Sequence, residues 1–439
     1  MKRPSERVIV LLIAAIQFIN ILEFMIVMPL GPDFARALAI PTNQLGLIAG
    51  SYTFAGAASG IACSFFLDRF DRRVALAFAM AGLVAATALG GLAVNFETLL
   101  GARVLAGVFG GPATSLALAI VSDVIPVERR GRALATVMTA FSVASIFGVP
   151  IALEIAHVFD WRAPFFAVSA MGLLTSAGAL WLLPPMKLHF RAPGMPRASA
   201  REIFFRPLPL LAFAAMTCMM ISAFLLIPSI PPYVVFNLGY QGEAWLTDWA
   251  AGVGIDYQFS TLGPLYMIGG LASLALMQVC GRLTDKIGAT AMSWAGAFLM
   301  AFVVYAGFVN YQPWLSVMGF FVGFMGSGSL RGVPSRTLDS RIPRAQERAG
   351  FMSAQSAVQH ISLALAAVAS SFILYELPDK SLAGVELAGW LSIGFALAMP
   401  LFITLIERQL KRRDAALLAQ GQVAGAGAAV NVALASPRP

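Results

Sequence analysis

The feature that most constrains this chain is a series of twelve long apolar stretches separated by short polar breaks. Each stretch is long enough to cross the ~30 Å hydrocarbon core of a bilayer as an α-helix rising ~1.5 Å per residue. Helices are expected because lipid offers no partner for unpaired backbone polar groups. We therefore predict an all-α integral membrane protein with spans at 8–30, 45–66, 74–95, 98–122, 134–157, 162–184, 207–236, 259–281, 289–310, 313–334, 349–374 and 384–406.

The composition excludes several broad classes of protein. Of the 439 residues, 59% are hydrophobic and only 12% are charged, whereas a soluble chain carries roughly 25% charged residues. This excludes an ordinary soluble enzyme, a disordered chain and a nucleic-acid-binding protein. We also expect no metal and no cofactor, because the cysteines and histidines are scattered and no phosphate-binding loop occurs. Energy for any transport would then come from an ion gradient or from the gradient of the substrate.

The basic residues predict how the chain lies in the membrane. All but four of the 30 Lys and Arg residues fall at the termini or in alternate connections, counting residue 331 with the connection 331–348. The exceptions are Arg36, Arg162 and Lys380 in the opposite connections and Arg103 within a span. The positive-inside rule then predicts a cell-membrane protein, here a bacterial inner-membrane protein, with both termini in the cytoplasm.

The chain divides into two similar halves. We predict a six-helix bundle over residues 1–184, a basic cytoplasmic connection over 185–206, a second six-helix bundle over 207–406, and a disordered Ala- and Gly-rich tail over 407–439. The pair Asp68-Arg69 follows span 2, and Asp285-Lys286 follows span 8 at the same point of the second half. Duplicated halves are typical of transporters whose site lies between two bundles that move against each other.

A carboxylate lies within the first predicted span. Glu23 follows Asn20 by three residues, and Asn20 follows Gln17 by three, so the three side chains form one polar stripe on an apolar helix. A charge inside a span is costly, and such residues commonly bind protons or substrates. We predict that Glu23 takes up a proton and that the stripe lines a substrate cavity. The alternative is a structural hydrogen bond.

Arg103 is the second charge that we expect inside the first bundle. Gly107 follows it by one helical turn and would allow a close helix contact. Because arginine stays charged, it needs an anionic partner or water. We predict that Arg103 couples to protonation of a carboxylate, with Glu23 as one candidate. A fixed structural ion pair is the alternative.

Other polar side chains within spans are candidate cavity residues. Glu154 lies near the outer end of span 5 and could equally reach the membrane interface. Gln355, Gln359 and His360 form a polar face on span 11, where a packing role is the alternative. In span 5, Gly148 and Pro150 predict a close-packed joint with a kink.

Several motifs resemble those of the major facilitator superfamily. The connection after span 2 reads SFFLDRFDRR, and its counterpart after span 8 reads GRLTDKIG. The first resembles the family's loop signature G-x-x-x-D-R-x-G-R-R, although Ser64 and Asp71 replace its two glycines. The resemblance implies a cytoplasmic gate made of Asp68, Arg69, Arg72, Arg73, Asp285 and Lys286.

Three further strings resemble family motifs on the expected spans: LEFMIVMPLGP at 22–32, RVLAGVFGG at 103–111 and FGVPI at 147–151. They are similar to those of the twelve-helix drug and sugar efflux subgroup, in which the span 4 arginine is linked to proton coupling. The resemblance implies a monomeric, proton-coupled exporter of a small apolar or amphipathic compound working by alternating access. The alternatives are a sugar or organic-anion facilitator or importer, a lipid or lysolipid translocase, and a transport-inactive receptor or scaffold.

Overall fold

The computed structural model describes residues 5–63, 70–184, 206–254, 257–343 and 348–435. In the first half, long apolar segments form helices that begin at polar or proline residues, such as Ser5, whose hydroxyl accepts a hydrogen bond from the Val8 amide. These helices are α1 Glu6–Ile26, α2 Gly31–Ala37, α3 Leu45–Cys63, α4 Arg72–Gly91, α5 Phe96–Val124, α6 Val127–Val143, α7 Val149–Val158 and α8 Ala163–Leu182.

The second half repeats this organisation and adds a small hairpin. Its strands, β1 Tyr375–Glu376 and β2 Leu382–Ala383, pair antiparallel with Tyr375 opposite Ala383. Its helices are α9 Pro207–Phe224, α10 Ile230–Pro232, α11 Ala244–Gly252, α12 Gly263–Ile287, α13 Ala289–Val304, α14 Val317–Asp339, α15 Arg348–Ile373 and α16 Val385–Ala435.

Within the residues that the structure describes, the chain passes through the bundle twelve times, as the apolar pattern predicts. Eleven helical stretches in the described ranges are long and apolar enough to cross a membrane. The remaining pass is α14, a helix of 23 residues whose hydropathy is lowered by glycines, serines and an arginine. That arginine corrects one sequence prediction, because Arg331 is a buried residue inside α14 and does not belong to the connection after it.

Short π-helical turns break three of the passes. One of them, Ala144–Gly148, joins α6 to α7 directly before Pro150, so the irregularity predicted at the proline occupies the preceding turn. A Cβ on Gly148 would lie 2.9 Å from Leu22 Cδ1. The missing side chain therefore lets α7 approach α1 closely.

The last helix continues through Ala435, where the composition predicts disorder. Alanine has the highest helix propensity of all residues, and it recurs along this tail. The connection predicted at 185–206 lies, apart from Arg206, outside the described residues.

The two halves touch mainly at one end of the bundle. There α3 packs along α15, and α7 packs against α12. We call this the closed end. The other end carries Arg72, Arg129, Arg341 and Arg413, and we call it the basic end.

Candidate functional site

A buried ion pair lies inside the first half. The Arg103 guanidinium on α5 donates from Nη1 to Glu23 Oε1 on α1, and Glu23 is 0% exposed and Arg103 1%. The structure thus joins the two charges that the sequence places in separate spans. Glu23 Oε2 and the Arg103 atoms Nε and Nη2 have no hydrogen-bond partner within the described part of the chain. The pair is therefore closed to water and only partly hydrogen-bonded.

An aromatic ring and an amide hold the pair in place. The Arg103 guanidinium lies over the Tyr52 ring, with its carbon 4.6 Å from the ring centroid, which is a cation–π contact. The Tyr52 hydroxyl donates to Asn20 Oδ1 at 2.9 Å. The Asn20 amide donates in turn to the Gly110 carbonyl at 3.0 Å and to Thr114 Oγ1 at 2.8 Å. Helices α1, α3 and α5 are thus tied together around the pair.

The polar stripe of α1 faces protein. Gln17 and Asn20 are 6% and 4% exposed, so both lie inside the first half with Glu23. Gln17 Oε1 has no partner among the described residues. The close approach of α3 to α5 depends on Gly107, because a Cβ there would lie 2.2 Å from the Tyr52 carbonyl oxygen.

The polar residues of α15 are not brought to this pair. Gln355 is buried and donates to Asp339 Oδ2 at the end of α14. The His360 ring nitrogen Nδ1 lies 2.8 Å from the Ser356 carbonyl oxygen one turn earlier on the same helix. Gln359 is half-buried. These residues belong to the second half, where α15 packs against α9 and α3.

Sequence reasoning missed two buried charged residues of α14, Arg331 and Asp339. Their exposed fractions are 1% and 3%. Arg331 lies near the end of the predicted span 313–334 but is counted with the basic connection, and Asp339 lies beyond that span.

Glu154 lies at the closed end, away from Glu23, because it is near the end of α7. Its Oε1 accepts from the Ser260 amide at 3.0 Å and from Ser260 Oγ at 2.7 Å, and its Oε2 accepts from the Tyr257 hydroxyl at 2.9 Å. Desolvation and the hydrogen bond to Glu154 raise the pKa of Tyr257. Glu154 therefore joins the two halves, a different position from the predicted cavity.

A second set of contacts closes the same end. Glu376 on β1 accepts from the Thr42 amide, and Lys380 Nζ donates to the Ala35 carbonyl at 2.7 Å. A Cβ on Gly46 would lie 2.1 Å from the Ala367 carbonyl oxygen, so α3 and α15 are in backbone contact here. In the ranges that the structure describes, every hydrogen bond between the halves lies at the closed end.

Burial also affects a carboxyl group on the short helix α2. It raises the pKa of Asp33, and the positive charge of Arg36, 3.7 Å away, acts in the opposite direction. Arg36 also lies over the Phe236 ring of the second half, 5.5 Å from the centroid. The α2 segment therefore adds to the closed end.

Comparison with known proteins decides the family. A sequence profile of the Major Facilitator Superfamily matches residues 13–367. The chain belongs to this superfamily. It is 25% identical over 292 residues to the chloramphenicol resistance protein of Streptomyces lividans, covering 66% of this chain and 70% of the relative. It is 26% identical over 187 residues to the uncharacterised MFS-type transporter YfhI of Bacillus subtilis (strain 168), covering 42% of this chain and 47% of that relative.

Solved structures confirm the fold of a major facilitator transporter. A bacterial homologue of the human lysosomal transporter Spinster, in its inward-facing and unoccupied conformation, matches with a TM-score of 0.68 and 15% identity over 94% of this chain and 99% of that one. The occupied inward-facing form matches with the same TM-score over 93% and 98%. The predicted superfamily and the all-α membrane fold are thereby confirmed.

The gate residues implied by the superfamily lie at the basic end or outside the described residues. Asp68 and Arg69 lie outside the described residues. Arg72 Nη1 pairs with Asp123 Oδ2 at 3.0 Å, and Arg73 Nη1 donates to the Leu183 carbonyl at 3.2 Å, so both act within the first half. Asp285 and Lys286, in the last turn of α12, are exposed. In the part of the chain described here, no ion pair joins the halves at this end.

Proposed function

We propose that this superfamily member exports a small apolar or amphipathic organic compound in exchange for protons, by alternating access between its two halves. The observation that carries the proposal is the Glu23–Arg103 pair sealed inside the first half. Glu23 is the proposed proton site and Arg103 its coupling partner. The proposed location is a bacterial inner membrane with both termini in the cytoplasm, and the proposed working unit is a monomer.

The buried pair supports coupling of protons to transport, because neutralising either Glu23 or Arg103 leaves the other charge buried without a partner. Removing one partner of a buried ion pair typically costs about 3–5 kcal/mol, since the other charge stays desolvated. Protonation of Glu23 would leave Arg103 in that condition. A conformation in which Arg103 gains water or another anion would then be favoured. Proton binding is thereby linked to the position of the halves, as coupling requires.

The contacts between the halves support the direction of the cycle. Their hydrogen bonds lie at the closed end, whereas the clustered arginines lie at the basic end. The positive-inside rule places a basic end in the cytoplasm. The structure would then be the state that loads substrate from inside the cell.

Chloramphenicol is a reasonable first substrate to test, because the chain is similar to a chloramphenicol resistance protein. The purified protein is reconstituted in liposomes, and uptake of labelled chloramphenicol is measured with and without an imposed pH gradient. Counterflow, in which unlabelled compound on one side drives labelled compound inward, is measured without a gradient.

We expect Glu23→Gln to abolish the pH-driven component and to retain counterflow. Glu97→Gln is the matched control, because Glu97 is an exposed carboxylate in the first turn of α5. Full pH-driven transport by Glu23→Gln would refute the proton assignment. Counterflow without any response to pH in the wild type would favour a facilitator, and neither activity with a panel of organic compounds would favour a receptor or scaffold.

The role of Arg103 is tested by a change that keeps its charge. Arg103→Lys removes the planar guanidinium, which donates to Glu23 and lies over the Tyr52 ring. We expect weaker pH-driven transport than in the wild type, with counterflow preserved. Equal loss of both activities would indicate a purely structural pair.

A further inference from the structure

A buried cation in the second half lacks an acidic partner. Arg331 on α14 donates from Nη1 to Ser222 Oγ on α9 at 2.6 Å and from Nε to the Ser327 carbonyl at 3.3 Å. No carboxylate pairs with it in the described ranges. The other acid on this helix, Asp339, lies eight residues further along, about 12 Å in helical rise, and is held by Gln355. Among the described residues, the hydrogen-bond partners of the Arg331 charge are therefore neutral oxygens.

The two halves differ sharply at this point. Each carries one fully buried arginine on its fourth long helix, Arg103 on α5 and Arg331 on α14. Arg103 is neutralised by Glu23. A guanidinium stays charged in a protein, and buried charges inside membrane spans are normally paired or mark a substrate path.

Open space lies beside Arg331. On α14, Arg331 contacts α9 through Ser222, and Ser329 contacts α12 through Ser273, with the two hydroxyl oxygens 2.7 Å apart. Gly328 and Gly332 lie between these two contacts around the helix, by the ~100° step per residue. A Cβ built on either glycine meets no atom within 4 Å.

The open face of α14 at Gly328 and Gly332 lies between helices α9 and α12, and both of these helices contact the first half. At the closed end α12 packs against α7, and Phe224 of α9 lies 6.5 Å from the Phe24 ring of α1. Phe24 in turn lies 5.4 Å from the Tyr52 ring that supports Arg103. Aromatic side chains thus extend from α9 of the second half to the Tyr52 ring that supports Arg103.

We propose that Arg331 binds the acidic group of an amphipathic organic anion, whose apolar body lies along the open face of α14 at Gly328 and Gly332. This inference rests on the proposed transport function and adds that, among the compounds it accepts, the protein binds those with a carboxylate or a similar anion more tightly. Hydrogen bonds to a charged partner are the stronger kind. The site at Arg331 should therefore bind a neutral compound of the same shape less tightly than the anion.

The test compares an anionic probe with its neutral counterpart. The probes are 11-(dansylamino)undecanoate and its methyl ester, added to the full chain in nanodiscs. Energy transfer from the seven tryptophans reports bound probe, and empty nanodiscs give the background. For the wild type we expect at least about tenfold tighter binding of the carboxylate than of the ester.

Three variants test the role of Arg331. Arg331→Gln should lose the preference for the carboxylate while its ester affinity stays within about twofold. Arg331→Lys keeps the charge and should retain part of the preference, which also guards against a glutamine variant that fails to fold. Arg336→Gln is the matched control, since Arg336 is an exposed arginine on the same helix, and it should bind like the wild type.

The outcomes separate this inference from the proposed function. Equal affinity of the wild type for both probes, no binding of either, or an unchanged preference in Arg331→Gln would overturn the anion site. None of these results affects pH-driven chloramphenicol transport or its loss in Glu23→Gln. Conversely, an Arg331-dependent preference in a protein without pH-driven transport would refute the exporter and leave the anion site standing.

Discussion

The backbone contact between α3 and α15 gives a direct way to open the closed end. In Gly46→Ala, the added Cβ would lie 2.1 Å from the Ala367 carbonyl oxygen and 2.5 Å from Ser371 Oγ. An ordinary contact between carbon and oxygen is about 3.3 Å, so the helices would have to separate by about 1 Å. Overpacking of this kind costs about 1–3 kcal/mol. Because the contact exists only where the halves meet, the cost falls on the closed state.

The expected shift follows from that cost. An energy of about 1–3 kcal/mol changes a two-state equilibrium by about 5- to 150-fold, so states open at this end should become populated. Spin labels at the exposed positions Ala37 and Leu377 report the separation of the halves by pulsed electron resonance. The three native cysteines, all unpaired, are first replaced by serine. We expect a new long-distance component in Gly46→Ala.

Gly60→Ala is the control on the same helix. A Cβ there meets nothing within 4 Å, so the variant carries the same gain in helix propensity without the clash. Gly60→Ala should keep the short distance of the parent protein. If both variants gave one identical distance distribution, the argument that the α3–α15 contact holds this end closed would be refuted.

Three further predictions concern neighbouring contacts. Glu154→Gln should weaken the closed end by about 1–2 kcal/mol, because an amide oxygen accepts less strongly than a carboxylate; unchanged spin-label distances would contradict this. Arg72→Glu should lower thermal stability and transport, and Asp123→Arg in the same chain should restore them in part if the 3.0 Å pair is what matters; failure of the double variant would show another cause. Gly107→Val should prevent folding by pushing α5 away from α3, whereas Gly101→Val, which meets nothing within 4 Å, should express normally on size-exclusion chromatography.

The number and order of the helices could be predicted from the sequence because lipid imposes one simple requirement. A spanning segment must be long, apolar and helical, and each of these is visible in a local window. The same rule failed at Arg331. Arg331 lies within the predicted span 313–334, yet the sequence cannot show whether its side chain is buried or reaches the basic connection, because the difference depends on Ser222 from another helix.

The Glu23–Arg103 contact could be named as a candidate for a related reason. Two opposite charges inside one apolar six-helix bundle have few other charged residues to pair with, so their pairing could be expected from charge alone. The position of Glu154 could not be obtained in this way. Its partners, Ser260 and Tyr257, come from the second half, and no local pattern states which loop of one half meets which helix of the other.

The two halves differ in their buried charges, and this difference is consistent with a separate role for each half. The first half contains a buried ion pair without net charge, whose carboxylate is the proposed proton site. The second half contains a buried arginine with hydroxyl and carbonyl partners in the described ranges, which stays charged and is the proposed anion site. If substrate charge is read at Arg331 and proton binding at Glu23, then each ligand acts on a different half, and coupling between them has to pass through the contacts that join the halves. In this structure those contacts include the hydrogen bonds of Glu154, Glu376 and Lys380 at the closed end and the packing of α3 on α15. Loosening that end should therefore reduce the coupling of substrate to protons more than it reduces the binding of either one.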